Sequence, residues 1–197
     1  MIRILPFMKQ SRNLQIISAV LFRSSSFFKE FATAPPAARS FLFSYGLPLM
    51  VLGAAGRMAV VLQQKALDGV ALRADQLSGV FIITLTGYLL SVWLGAYLVG
   101  KLAKPFRSNP DTEKAMLLII ASYTPYMLAQ PLAAITPAMG PVSILGLIYT
   151  VVVFGKGAGV LLETPAAKVA GFTLTSFFVI FGISFVAVRL LTGLFIF

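Results

Sequence analysis

From residue 41 onward, apolar runs of about twenty residues alternate with short polar stretches. Three runs carry no charge at all: residues 77–100, 115–136 and 169–188. Two more carry one charge each, Arg57 within 41–62 and Lys156 within 141–162. A helix rises 1.5 Å per residue, so about 20 residues cross a hydrocarbon core of about 30 Å. The pattern therefore predicts an all-α, polytopic transmembrane helical bundle of five spans, the fifth continuing to about residue 193. The connections are residues 63–76, 101–114, 137–140 and 163–168. The third of these is a tight Pro137-Ala138-Met139-Gly140 turn. Residues 41–197 form the membrane domain, and residues 1–40 a separate leading segment.

That leading segment has a weaker pattern of its own. Leu14, Ile17, Leu21 and Phe28 recur near helical spacing, with Arg12, Gln15 and Arg23 between them. Ser24-Ser25-Ser26 offers a break and an N-cap. Phe27, Phe28 and Phe31 make a second apolar cluster, and Pro35-Pro36 ends it. A basic stretch with a Phe/Leu/Ile face reads as an interfacial amphipathic helix on the inner leaflet. The alternative is a solvated tail, or a helix packed on the protein's own cytosolic loops. The apolar run 14–22 is interrupted by Gln15 and Ser18, and Ala32-Thr33-Ala34 lies far beyond it, so the segment is expected to be retained rather than cleaved.

Composition sharpens this picture. Hydrophobic residues make up 58% of the 197, charged residues only 11%, and the mean hydropathy is +0.92. Soluble domains carry roughly 25% charged residues. An ordinary soluble enzyme and a disordered chain are both excluded. The net charge of +10 would suggest nucleic acid in a soluble protein. In so apolar a chain it implies contact with anionic lipid, and no nucleic acid. The basic residues also fall unevenly. Twelve lie on one side of the five-span arrangement: six in residues 1–40 (Arg3, Lys9, Arg12, Arg23, Lys29, Arg39), four in 101–114 (Lys101, Lys104, Arg107, Lys114), and Lys156 and Lys168. Lys65 and Arg73 lie in the loop on the other, with Arg57 and Arg189 near the ends of the first and fifth spans. The positive-inside rule then puts the N-terminus in the cytosol and the C-terminus outside, as in a bacterial inner (plasma) membrane.

Candidate chemistry is sparse. With no His and no Cys, zinc, haem, iron–sulfur and blue-copper sites lack their usual ligands, and Ser–His or Cys–His nucleophiles cannot form. No catalytic residue, cofactor or metal is expected. In Ser108-Asn109-Pro110-Asp111-Thr112-Glu113 the simplest reading is a helix start: Asn109 as cap, Pro110 at the first position, Asp111 and Glu113 in the first turn. Gly155-Lys156-Gly157-Ala158-Gly159 has the composition of a phosphate loop but not its spacing, and no strand precedes it. Gly155 and Gly159, four apart, suit close helix packing. Gly87, Ser91 and Gly95 form a second small-residue stripe at i, i+4, i+8. The third span is the most polar, with Ser122-Tyr123-Thr124-Pro125-Tyr126 and then Gln130-Pro131. Tyr123, Tyr126 and Gln130 share one face, and Tyr88 and Tyr149 on adjacent spans could meet them. Either these residues and Pro125 line a kinked polar cleft, or the kink is satisfied by neighbouring hydroxyls and the tyrosines are ordinary contacts. Arg57 and Arg189 are expected to snorkel to the outer boundary, and Glu163 to sit at the inner interface.

Tyr123-Thr-Pro125, then Leu145-Gly-Leu-Ile-Tyr149, Gly155, Leu161, Thr164-Pro165, Ala167-Lys168 and Gly171, in that order after a basic leading segment, resemble the Yip-domain family of Ypt/Rab-interacting-type membrane proteins. The resemblance covers about residues 12–190. The Asp-Leu-Tyr-Gly-Pro motif of eukaryotic members is absent, and Ser122-Tyr123 stands where their Gly-Tyr pair would be, so the likeness is to prokaryotic-type members. It implies five spans and a non-enzymatic, membrane-organising or partner-binding role. The expected partners are the anionic inner leaflet, a membrane or cytosolic protein, or a second copy of the chain. The alternative is a small transporter or channel lined at the third span.

Overall fold

The structure, a computed structural model, describes residues 8–195, with side chains from residue 12 to residue 191. Arg3 lies outside the described residues, and so does the side chain of Lys9. Five helical stretches are long and apolar enough to cross a membrane: Ala38–Leu67, Ala74–Leu102, Thr112–Ala133, Pro137–Leu161 and Ala166–Leu191. They are preceded by α1 (Met8–Phe22) and α2 (Ser24–Thr33). The first span consists of a short α3 (Ala38–Phe41), a π-helical turn over Leu42–Gly46, and α4 (Leu47–Leu67). The second is α5 (Ala74–Leu102). The third is α6 (Thr112–Ser122) followed by α7 (Thr124–Ala133). A 3₁₀ turn over Pro137–Met139 leads into α8 (Gly140–Leu161), and α9 (Ala166–Phe195) closes the chain.

The break in the third span follows from Pro125. Proline has no N–H for the carbonyl of Ala121, and its ring crowds the preceding turn. The helix resets at Tyr123, whose N–H still reaches Ile119 and whose carbonyl accepts from Met127, both at 3.0 Å. The start of this span corrects the expected cap. Asp111, not Asn109, is the cap: its carboxylate accepts from the N–H groups of Glu113 (2.9 Å) and Lys114 (3.0 Å). Asn109 is occupied elsewhere, donating its backbone N–H to the Leu162 carbonyl at 2.7 Å and so tying two loops together. A carboxylate also brings a full charge to the positive end of the helix dipole, which an amide does not.

Close approaches set the order of the helices. A Cβ on Gly53 would lie 2.5 Å from Met127 Sδ, and one on Gly56 would lie 2.4 Å from Pro131 N, so α4 runs parallel to α7 with its backbone almost in contact. Helix α8 runs antiparallel to the third span, with Gly146 against Ala129 and Gly157 against Leu118. Helices α5 and α9 form a long antiparallel pair, Gly87 facing Val188 and Gly95 facing Ile180. The third span is thereby enclosed. It is 78% buried, with the lowest mean hydropathy of the five (1.3), while the last span is the most apolar (2.2) and only 11% buried.

The leading segment folds as two helices hinged at Arg23. The cap expected from the serine triplet does not form: Arg23 occupies the N-cap position of α2 with no side-chain bond, and the buried Ser24 hydroxyl has no partner. Phe27 and Phe28 turn into the bundle, Phe28 packing against Gly157, while Leu14 and Phe22 point outward. An aromatic ladder continues inward, with ring centroids 4.9 Å apart for Phe27–Phe31, 5.1 Å for Phe31–Phe41 and 4.9 Å for Phe41–Tyr45. It ends where the Tyr45 hydroxyl meets Thr124 Oγ1 at 2.7 Å, beside the break in the third span.

Candidate functional site, a cavity beside the broken span

Helices α8 and α9 touch near one end, where Gly155 faces Thr173 and Gly159 faces Val169, and separate toward the other. Against the reset at Tyr123, this separation leaves a cavity of about 290 Å³ at the middle of the bundle. Arg57 of α4 lines it, with Thr84, Gly87 and Tyr88 of α5. The third span contributes Ile119, Ser122, Tyr123 and Tyr126. Leu147, Thr150 and Phe154 of α8 face a wall of α9 that includes Phe177, Phe181, Ser184, Phe185 and Val188.

Most polar groups here satisfy one another. The Tyr88 ring lies 6.4 Å from Tyr123 and 6.3 Å from Tyr126, centroid to centroid. Ser91 Oγ donates to the Gly87 carbonyl at 2.7 Å, which leaves its lone pairs to accept from Ser184 Oγ. The Tyr123 hydroxyl lies against the same two serines. Thr150 Oγ1 donates to the Gly146 carbonyl at 3.0 Å, back-bonding within its own helix. Arg57, facing the Tyr88 hydroxyl, is the charged group of the site. Its surroundings contain no carboxylate. Among the described residues, all six acidic side chains lie in α2, in loops or in terminal turns: Glu30, Asp68, Asp75, Asp111, Glu113 and Glu163. Ion pairs join only Arg73 to Asp75 (2.9 Å) and Lys114 to Glu163 (3.6 Å) among those residues.

The candidates from sequence separate into three places. Tyr123 and Tyr126 line the cavity together with Tyr88. Gln130, one turn further along the same helix, is fully buried outside the lining, and neither amide atom has a hydrogen-bond partner. Pro125 shapes the break from behind, its carbonyl turned toward Gly146. Tyr149 faces the opposite side of α8 and donates to the Leu21 carbonyl, anchoring the leading helices. Gly87, Ser91 and Gly95 face α9, and so do Gly155 and Gly159 from α8. Sequence did not single out two contributors to the lining. Arg57, expected near the outer boundary, is exposed and lines the cavity from α4. Ser184 was overlooked; nothing in the sequence separates it from Thr173, Thr175 and Ser176 of the same span.

The fold and this site are those of a multi-pass integral membrane protein, whose apolar outer surface requires a lipid environment. No curated protein and no solved structure matches the chain. The Yip1 domain matches it over residues 18–188, from α1 through the cavity-lining face of α9. The chain therefore belongs to the Yip1 domain family.

Proposed function

We propose that this protein is a non-enzymatic membrane organiser that holds a helical hairpin in one leaflet. The observation that carries this reading is the hydrogen bond from Tyr149 to the Leu21 carbonyl. Tyr149 lies near the middle of α8, so the tip of the α1–α2 hairpin is level with the middle of the span. The hairpin occupies only the half of the bundle that bears the basic loops. Its outward residues suit lipid: Phe22 is 84% exposed and Leu14 65%. Arg12 and Lys29, away from the tip, supply positive charge, each contributing about 1 kcal/mol of attraction when near an anionic surface. Extra volume in a single leaflet bends a bilayer toward that side. With the basic end in the cytosol, the bent leaflet is the inner one of a bacterial plasma membrane.

The full chain reconstituted into vesicles containing phosphatidylglycerol should narrow them, as measured by electron cryomicroscopy. The double variant Leu14→Ser/Phe22→Ser should lose most of the effect. Vesicle diameters equal to those of protein-free controls would sink the reading. A small transporter is the second reading, and the cavity is what favours it. The contacts of Gly155 with Thr173 and of Gly159 with Val169 close the cavity toward the basic end, so transport requires α8 and α9 to part. Efflux of trapped chloride or phosphate above the protein-free rate would support it.

A further inference from the structure

An arginine inside a membrane span is costly, and a neutralising partner is the usual reason it is kept. Arg57 has no carboxylate partner among the described residues; the hydroxyls of Ser91, Ser184 and Thr150 are engaged with one another or with backbone, while the buried Ser122 hydroxyl in the cavity wall has no partner. The negative group this site suits must therefore come from outside the chain. The shape of the cavity narrows the choice. Its wall on α9 runs from Phe177 to Val188, about 16 Å at 1.5 Å per residue. That is close to half of a hydrocarbon core of about 30 Å, the depth one acyl chain occupies in its leaflet. The cavity wall is largely aliphatic and aromatic along this length, and Arg57 marks its end farthest from the basic loops. One side is open: Phe181 and Phe185 line the cavity yet stay about half exposed.

We propose that this cavity binds an anionic phospholipid, one acyl chain lying along α9 and the phosphate resting on Arg57. The second chain and the rest of the head group leave through the gap between α8 and α9. A guanidinium suits this role better than an ammonium, because its planar fork pairs two phosphate oxygens at once and is less strongly hydrated. The lateral gap distinguishes a phospholipid from a free fatty acid, which would need no opening for a second chain. This site stands apart from the hairpin, which contacts the other side of α8, so either reading can fail alone.

The test is native mass spectrometry of the full chain released from detergent micelles. The micelles contain equal amounts of phosphatidylglycerol, phosphatidylcholine and palmitate. Wild type should retain one phosphatidylglycerol that Arg57→Gln retains at least roughly tenfold less, the loss expected for one charge-assisted contact. Lys65→Gln is the charge-matched control. Lys65 lies in the last turn of α4, outside the cavity lining, and the variant should retain the lipid as wild type does. If Arg57→Gln fails to fold, Ser184→Cys replaces it. The chain has no cysteine, so the thiol can be capped after folding with a small methanethiosulfonate that fills the cavity. Capping should expel the lipid. Equal retention by wild type and Arg57→Gln, retention after capping, preference for palmitate, or no preference for phosphatidylglycerol over phosphatidylcholine would each overturn the proposal.

Discussion

The third span and the last one are built on opposite terms. The third is short, broken at Tyr123, interrupted by two prolines and lowest in mean hydropathy, and it is the most buried of the five. The last is a single helix, Ala166–Phe195, the most apolar of the five and the least buried. The remaining three fall between them in the same inverse order. In a soluble protein the apolar helix would be the core. Here lipid is as apolar as any side chain, so hydropathy marks contact with lipid, and interhelical contact is marked by small and polar residues. A broken helix survives at this depth only where protein surrounds it, because freed backbone groups have no water to turn to.

The contrast is tested most severely at two glycines. Gly56→Ala puts a methyl 2.4 Å from Pro131 N and 2.7 Å from the Gln130 carbonyl carbon, a backbone that cannot give way. Overpacking of this kind costs about 3 kcal/mol, and the thermal midpoint in detergent should fall sharply. Gly182→Ala in α9 meets nothing within 4 Å and should leave the midpoint unchanged or raise it slightly. Equal effects at the two positions would erase the distinction between core and periphery.

A smaller loss is expected where the second and last spans meet. Gly95→Leu adds a side chain at a place where a Cβ alone already lies 3.2 Å from Ile180 and 3.4 Å from Ile119. It should cost about 1–2 kcal/mol, less than at Gly56 because α9 can move outward into lipid. A midpoint as low as that of the Gly56 variant would show that α9 is held as tightly as the third span.

Water access sharpens the comparison within the third span itself. Single cysteines at 123 and 126 should react with a membrane-impermeant thiol reagent, since both positions line the cavity. A cysteine at 130 should stay protected, because Gln130 is buried outside it. Leu128 serves as the control on another face of the helix. Protection at all four positions would mean the cavity admits no water; labelling at 130 would extend the cleft along the whole face.

The smallest effect belongs to the loops. Glu163→Gln removes the 3.6 Å pair with Lys114, in which the carboxylate is largely open to solvent. It should change stability by no more than about 0.5 kcal/mol. A larger loss in a urea or thermal titration would reveal that the basic end, rather than the third span, limits stability.

Sequence alone determined the number of spans, the helical class, the family and the third span as the most polar. Each follows from local information: run length against bilayer thickness, and the short motifs around Tyr123-Thr-Pro125. Four-residue spacing marked Gly155 and Gly159 in α8, where a Cβ would lie 3.2 and 3.8 Å from its neighbour, and missed Gly146 and Gly157 of the same helix, where it would lie 2.5 and 2.4 Å away. The tertiary structure decided which side of each helix faces which neighbour. Tyr149 and Tyr126 looked equally able to join a cleft, yet the rotation of α8 turned Tyr149 toward Leu21 and away from the cavity. Gln130 shares a face with Tyr126 by spacing, but the near-contact of α4 with α7 seals it off. The hinge at Arg23 gave Phe27 and Phe28 to the bundle and Leu14 to the outside, a division that helical period cannot supply. The part Arg57 plays in the cavity was hidden for the same reason: its place near the end of an apolar run does not tell which neighbours it faces. Periodicity fixes a residue's angle around its own axis. Only packing fixes the angle between axes, and the site is made of that second angle.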